Sequence, residues 1–229
     1  QAFIEHGGPE RVWHEMKERR DALQAKLEQV REHLSGCPIH CKWCDTQYAW
    51  DANEGEEIPI PEIVNKIIQW PCRFVVITGG EPMVNPQLPE LTVALKERNK
   101  HITIETSGIN FIAGLACDLM SISPKLSNSV QPGGVNPALQ YLSSLKQLVR
   151  RYPYQLKFVV DSADDLPEIQ QTLKQIGGVS AEKVMLMPQA KRMDELIAKS
   201  PMVAQMCKET GFLFCQRLHI LLYDGEKGK

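Results

Sequence analysis

Apolar residues fall along this chain in two alternating rhythms. Short runs rich in Val, Ile and Leu, "RFVVIT" (73–78), "HITIET" (101–106), "DLMSIS" (118–123), "QLKFVV" (155–160), "KVMLMP" (183–188) and "QRLHILLY" (216–223), predict strands. Between them, 60–70, 86–99, 136–151, 164–176 and 191–210 carry the spacing of amphipathic helices. Strand and helix in alternation predict a parallel sheet covered by its crossover helices. Five or six such units are too few to close an eight-fold barrel, so the expected architecture is α/β, a partial (β/α)6-type open barrel. Ahead of them, residues 10–34 place Trp13, Met16, Leu23, Leu27, Val30 and Leu34 at a/d spacing and predict one long amphipathic helix. The expected division is an N-terminal helical segment, 1–35, and a barrel domain, 36–229, in a single domain overall.

Polar residues gather at one end of these strands: Thr78-Gly79-Gly80-Glu81, Glu105-Thr106-Ser107-Gly108, Ser123-Pro124-Lys125 and Met187-Pro188-Gln189. In parallel α/β folds the C-terminal strand ends form the active face. Four polar ends converging there predict a cleft.

Composition narrows the class. The 229 residues are 43% hydrophobic and carry 26 basic and 28 acidic side chains. That balance gives no electrostatic footprint for nucleic acid. No apolar run approaches the ~18 residues that span a bilayer, and the first residues lack an apolar signal core. Seven cysteines, three of them clustered, do not form a secreted disulfide framework; a reducing cytoplasm is the expected compartment.

The cluster is "GCPIHCKWCDTQYAW" (36–50), with Cys37, Cys41 and Cys44 spaced CxxxCxxC. From the residues alone three readings are open. A structural zinc site needs a fourth Cys or His, a catalytic zinc keeps one position open, and three thiolates can hold a [4Fe–4S] cluster whose fourth iron is left free.

The spacing, with Trp43 directly before the last cysteine, resembles the signature of the radical S-adenosylmethionine (SAM) superfamily, and "TGGEP" resembles that superfamily's cofactor motif. In that superfamily the free iron chelates SAM, and an electron from the cluster cleaves the cofactor to a 5′-deoxyadenosyl radical. "VVITGGEPM", "IETSG" and "SISPKL", following in order, are similar to the 7-carboxy-7-deazaguanine synthase family over roughly residues 35–225. The resemblance implies conversion of 6-carboxy-5,6,7,8-tetrahydropterin to 7-carboxy-7-deazaguanine with loss of ammonia, using a [4Fe–4S] cluster, SAM and Mg2+. It further implies a homodimer served by a flavodoxin or ferredoxin electron donor.

By that resemblance Cys37, Cys41 and Cys44 hold the cluster and the Thr46 hydroxyl contacts Mg2+. Trp43, Gly79, Gly80, Glu81, Ser123, Pro124, Lys125 and Gln189 line the cofactor. Thr78 and His219 reach substrate, and Glu105 and His219 stand nearest the chemistry. Other classes remain in view: a radical SAM activase acting on a partner protein, and a non-catalytic iron–sulfur protein that self-associates through the a/d helix. One departure is marked. The family opens with a strand, a "QGEG"-type loop and a second strand carrying an Arg four residues before the first cysteine. Here that position is His33, and the predicted helix stands in place of the strands.

Overall fold

A computed structural model describes residues 31–130 and 137–224. Its centre is a seven-stranded sheet in the order β1-β2-β3-β4-β5-β6-β7, every neighbouring pair parallel. The strands are Arg31–Leu34 (β1), Phe74–Gly79 (β2), His101–Thr106 (β3), Leu119–Ile122 (β4), Tyr154–Val160 (β5), Val184–Pro188 (β6) and Leu213–Phe214 (β7). The α-helices are Ile60–Ile68 (α1), Leu88–Lys96 (α2), Pro137–Gln140 (α3), Leu142–Arg151 (α4), Asp165–Ile176 (α5), Met193–Thr210 (α6) and Leu218–Tyr223 (α7). Each crossover steps one strand onward in the same direction. Right-handed crossovers then place all the intervening helices on one face, and the sheet curls away from them as an open barrel.

The strands alternate with period 2, and the two faces differ sharply. Ile77, Ile104, Met120, Ile122, Leu156, Phe158 and Leu186 point outward and are buried with Leu88, Leu95, Leu145, Leu148, Ile169 and Val203 of the helices. The inward positions carry Thr78, Glu105, Ser121, Gln155 and Lys157. Register brings Glu105 opposite Ser121 and Ser121 opposite Gln155, and Gln155 Nε2 donates to Ser121 Oγ at 2.9 Å. A closed barrel would fill its interior with branched apolar side chains; this one keeps its concave face polar.

Two predicted elements are corrected. Residues 31–34, assigned by a/d spacing to the end of a long helix, form β1, with Arg31 opposite Val76 and Leu34 opposite Gly79. Strand pairing uses backbone groups only, and the free edge of β2 overrides a local helical pattern. The remainder of that predicted helix lies outside the described residues. The second correction is "QRLHILLY": the last strand is Leu213–Phe214, and residues 218–223 are helical. A short apolar run does not by itself distinguish strand from buried helix. Helical turns here put Ile220 and Leu221 against Ala190 and Leu196. Within 136–151 the predicted helix is two, α3 and α4, meeting at Tyr141. Among the described residues no helix is long and apolar enough to cross a membrane.

Phe158 is fully buried. Phe158→Ala should lower unfolding free energy by about 3–5 kcal/mol, measurable as an earlier midpoint in urea denaturation followed by circular dichroism.

Candidate active site

The cysteine loop leaves β1 and closes on its own far end. Gly36 N donates to Ala49 O at 2.9 Å, Cys37 N to Trp50 O at 3.0 Å, and Cys44 N to Cys41 O at 3.0 Å. His40 takes a left-handed backbone, φ 50°, and its ring stacks on Trp50 with centroids 4.6 Å apart. The imidazole between the cysteines is thereby occupied elsewhere. Cys41 is buried, and Cys37 and Cys44 are half-buried. Burial pushes the Cys41 thiol up; Lys125 pulls the other way, and negative charge on Cys44 and Cys37 adds to the rise. Burial likewise raises Cys44, opposed by the N–H of Thr46, 3.3 Å from its sulfur, and by the Trp50 indole.

Three thiols within electrostatic reach of one another, each resisting ionisation, favour a strongly positive group that takes them as thiolates. Among the described residues no three His, Cys, Asp or Glu side chains converge closely enough to hold one metal ion. A four-iron cluster bonds each sulfur to a different iron and suits a wider spacing. The donor set therefore fits a cluster with one corner left to a non-protein ligand.

The loop is locked to β2 through glycine. Gly80 N donates to Leu34 O and Glu81 N to Gly36 O, both at 2.8 Å. A Cβ on Gly80 would lie 2.3 Å from Gly36 O and 2.5 Å from Ala49 O. Gly79 has φ +136°, and a Cβ there would lie 2.2 Å from Leu34 O. The close approach these glycines permit is to the cysteine loop itself. Glu81 is 1% exposed. Its Oε1 accepts from Met83 N at 3.0 Å and Thr106 Oγ1 at 2.5 Å, and its Oε2 from Ser107 N at 2.7 Å and the Ser107 hydroxyl. Four donors saturate a carboxylate. Glu81 thus ties the end of β2 to the end of β3, and its side chain is turned into protein.

The β4 end grips the loop from the other side. Ser123 N donates to Thr106 O at 2.7 Å, and the buried Pro124 follows. Lys125 Nζ donates to Ser123 Oγ at 2.9 Å and lies 5.5 Å from the Trp43 ring centre. Trp43 Nε1 donates to Asn128 O at 2.8 Å, and Lys42 N to Ser129 O at 2.9 Å. Asn128 Nδ2 reaches Val159 O and Asp165 Oδ2, each at 2.9 Å. At the β6 end, Gln189 Oε1 accepts from Lys199 Nζ at 2.7 Å, and Lys199 also meets Asp161 at 2.5 Å. That bond fixes the carboxamide with its NH2 still free to donate.

Two charged groups occupy the cleft. Glu105 accepts from Lys157 Nζ at 2.6 Å and from Thr78 Oγ1 at 3.3 Å. Beside the cysteine loop, Asp45 Oδ1 accepts from Thr46 Oγ1 at 3.0 Å. Asp45 Oδ2 meets Arg217 Nη2 and lies 3.3 Å from His219 Nε2. Burial alone would push the Asp45 carboxyl up; the His219 hydrogen bond and the Arg217 guanidinium outweigh it and hold Asp45 well below the usual carboxylate range. His219 therefore reaches the site from α7 and not from a strand.

Asp45, Arg217 and Lys157 were not singled out by their sequence. The signals were present: Asp45 follows the last cysteine directly, Arg217 stands two before His219, and period 2 points Lys157 inward. The two charged groups face one space, since the Cys215 thiol, raised by burial, is influenced by Lys157, Glu105 and Arg217 together.

A polar concave face, a three-thiol loop with an open ligand position and a glycine-locked strand end together define a class. Residues 32–185 match the pattern of the Radical SAM superfamily, and the chain belongs to that superfamily. A 7-carboxy-7-deazaguanine synthase of Rhodopirellula baltica is 35% identical over 210 residues, 88% of this chain and 81% of the relative. Another from Pyrobaculum aerophilum is 35% identical over 202 residues, 86% of each. The crystal structure of QueE from Escherichia coli matches with TM-score 0.59 over 81% of this chain and 83% of that one; at 24% identity this is a likeness of fold. Within the superfamily the chain belongs to the 7-carboxy-7-deazaguanine synthase family of radical SAM lyases. That membership implies a [4Fe–4S] cluster and SAM.

Gly80→Ala should expel the cysteine loop from β2 while the apolar core stays intact. The expected result is a clear loss of iron per chain after anaerobic reconstitution, with far-ultraviolet circular dichroism close to that of the unsubstituted protein.

Proposed function

We propose that this chain converts 6-carboxy-5,6,7,8-tetrahydropterin to 7-carboxy-7-deazaguanine with loss of ammonia, in 7-deazapurine and queuosine biosynthesis, using Mg2+ beside the cluster and SAM. The observation that carries this reading is the placement of Asp45-Thr46 and His219, directly after the third cysteine, on the same cleft as Glu105.

Cys37, Cys41 and Cys44 would hold the cluster, which with SAM supplies one-electron, hydrogen-abstracting chemistry. Trp43 and Lys125, tied to Asn128 and Ser123, form the wall beside it. Ser123, Pro124 and Gln189 complete the cofactor side, and Gln189 would donate its amide NH2. Gly79, Gly80 and Glu81 would contribute backbone, since the Glu81 carboxylate is committed to Ser107, Thr106 and Met83.

On the substrate side, a 2-aminopyrimidinone edge presents adjacent N–H donors, and the Glu105 carboxylate matches them as a two-oxygen acceptor. Lys157 and Thr78 orient that carboxylate. The Thr46 hydroxyl donates to Asp45 and keeps lone pairs for a hard, oxygen-seeking cation such as Mg2+. Asp45 stays ionised through the neutral range, which holds the Thr46 proton away from the metal side. His219 stands within reach of the same edge.

Anaerobic turnover with 6-carboxytetrahydropterin, with and without Mg2+, tests the reading. Product should require iron-loaded protein, SAM and reductant, and should rise with Mg2+. Thr46→Ala should remove most of the Mg2+ stimulation, lowering turnover about ten-fold or more, while the iron content stays unchanged. A colourless protein that keeps zinc tightly and forms no product defeats the proposal.

A further inference from the structure

Arg217 is 6% exposed, and its guanidinium is only partly satisfied. One Nη2 serves Asp45 Oδ2 and lies 3.5 Å from His219 Nε2, while Nε has no hydrogen-bond partner among the described residues. Four buried side-chain polar atoms lack a partner there: Trp50 Nε1, His101 Nδ1, Asn128 Oδ1 and Arg217 Nε. Arg217 is the charged side chain among them. The cleft's other cations are occupied: Lys157 by Glu105, Lys125 by Ser123, Lys199 by Asp161 and Gln189. An unmet donor on a buried cation costs roughly 1–3 kcal/mol, and its planar fork is shaped for a two-oxygen anion.

We propose that Arg217 is the carboxylate subsite: with Asp45 holding one side of the guanidinium, its free N–H groups receive the carboxylate of the pterin substrate beside Thr46. This rests on the pterin reading of the cleft and adds a specificity determinant to it. Position supports the assignment to substrate. Arg217 lies between β7 and α7 and shares the Cys215 environment with Lys157 and Glu105, the concave-face pair. The opposite wall, Trp43 with Lys125, has its own cation. A ligand gripped by Glu105 at its donor edge and by Arg217 at its carboxylate would be fixed at both ends, with the Thr46 hydroxyl at the carboxylate end.

Equilibrium binding to iron-loaded protein, with SAM and Mg2+ present, tests this with two probes: 6-carboxytetrahydropterin and tetrahydropterin lacking the carboxylate. Arg217→Gln should weaken the carboxylated probe by roughly 10- to 100-fold and leave the other within about two-fold. Arg217→Lys, which keeps the charge and loses the fork, should fall between. Iron content and SAM affinity should match those of the unsubstituted protein. Equal weakening of both probes, or no change in either, overturns the subsite. If Arg217→Gln does not fold, Arg217→Lys carries the same comparison, selective weakening supporting the proposal and equal weakening defeating it. Failure of the unsubstituted protein to bind either probe instead refutes the pterin reading.

Discussion

Backbone packed against backbone, where Gly79-Gly80 meets Leu34-Ser35-Gly36, is the constraint on which the site depends. The two strand-like hydrogen bonds from Gly80 N and Glu81 N continue the β1–β2 ladder past its last residue and into the cysteine loop. The loop is thus an extension of the sheet, inheriting the rigidity of the most buried part of the molecule. No side chain fits between the two chains, so the contact has no adjustable part. Beneath it the Glu81 carboxylate gathers four donors from three residues and pins β3 to the same corner. A buried carboxylate is costly unless fully bonded, and this one is; removing a single donor would leave charge stranded in the core.

From that corner the remaining contacts follow. The loop's other flank needs support, and the β4 end provides it through Asn128 and Ser129, whose carbonyls accept from Trp43 and Lys42. Asn128 passes the load to β5 and α5 through Val159 and Asp165. Asp165 in turn accepts from Asp161 N at 2.6 Å, and Asp161 holds Lys199 against Gln189. A chain of polar contacts therefore runs along the strand ends from β1 to β6, and it is the same polar residues that line the cleft. Positioning and function share one set of side chains because the outward face of every strand is already committed to the apolar core.

How far the sequence could be read follows from these forces. β2 through β6 were legible because their burial is intense and their flanking helices are amphipathic; local pattern and tertiary packing agree. The cysteines were legible because spacing alone limits their chemistry. β1 was hidden because "REHL" carries no strand pattern and is held by the edge of β2. The helix 218–223 was hidden because six residues cannot display a period, and only Ala190 and Leu196 decide its form. Asp45 and Arg217 were hidden for a different reason. Their significance is a pairing across 172 residues, which no window along the chain contains. Glycine gave a half-correct signal: a tight approach was legible, but its partner is the loop backbone of this chain.

That long-range pairing also explains why the last element is better suited as a helix than as a strand. An open barrel has a gap between its terminal strands, and β7 is only two residues long. A longer strand would have carried Arg217 and His219 along the edge of β7, alternating between inner and outer faces. A helix starting at Leu218 instead turns the chain back over the opening, so that Arg217 and His219 both reach Asp45. Burying a guanidinium is expensive, and the Asp45 carboxylate offsets part of that cost. The charge pair in turn fixes the chain segment between Cys44 and the 3-10 turn at Gln47–Ala49. The same ionic contact that closes the barrel mouth thereby sets the orientation of Thr46, one residue on, toward the space between the cysteine loop and the polar sheet.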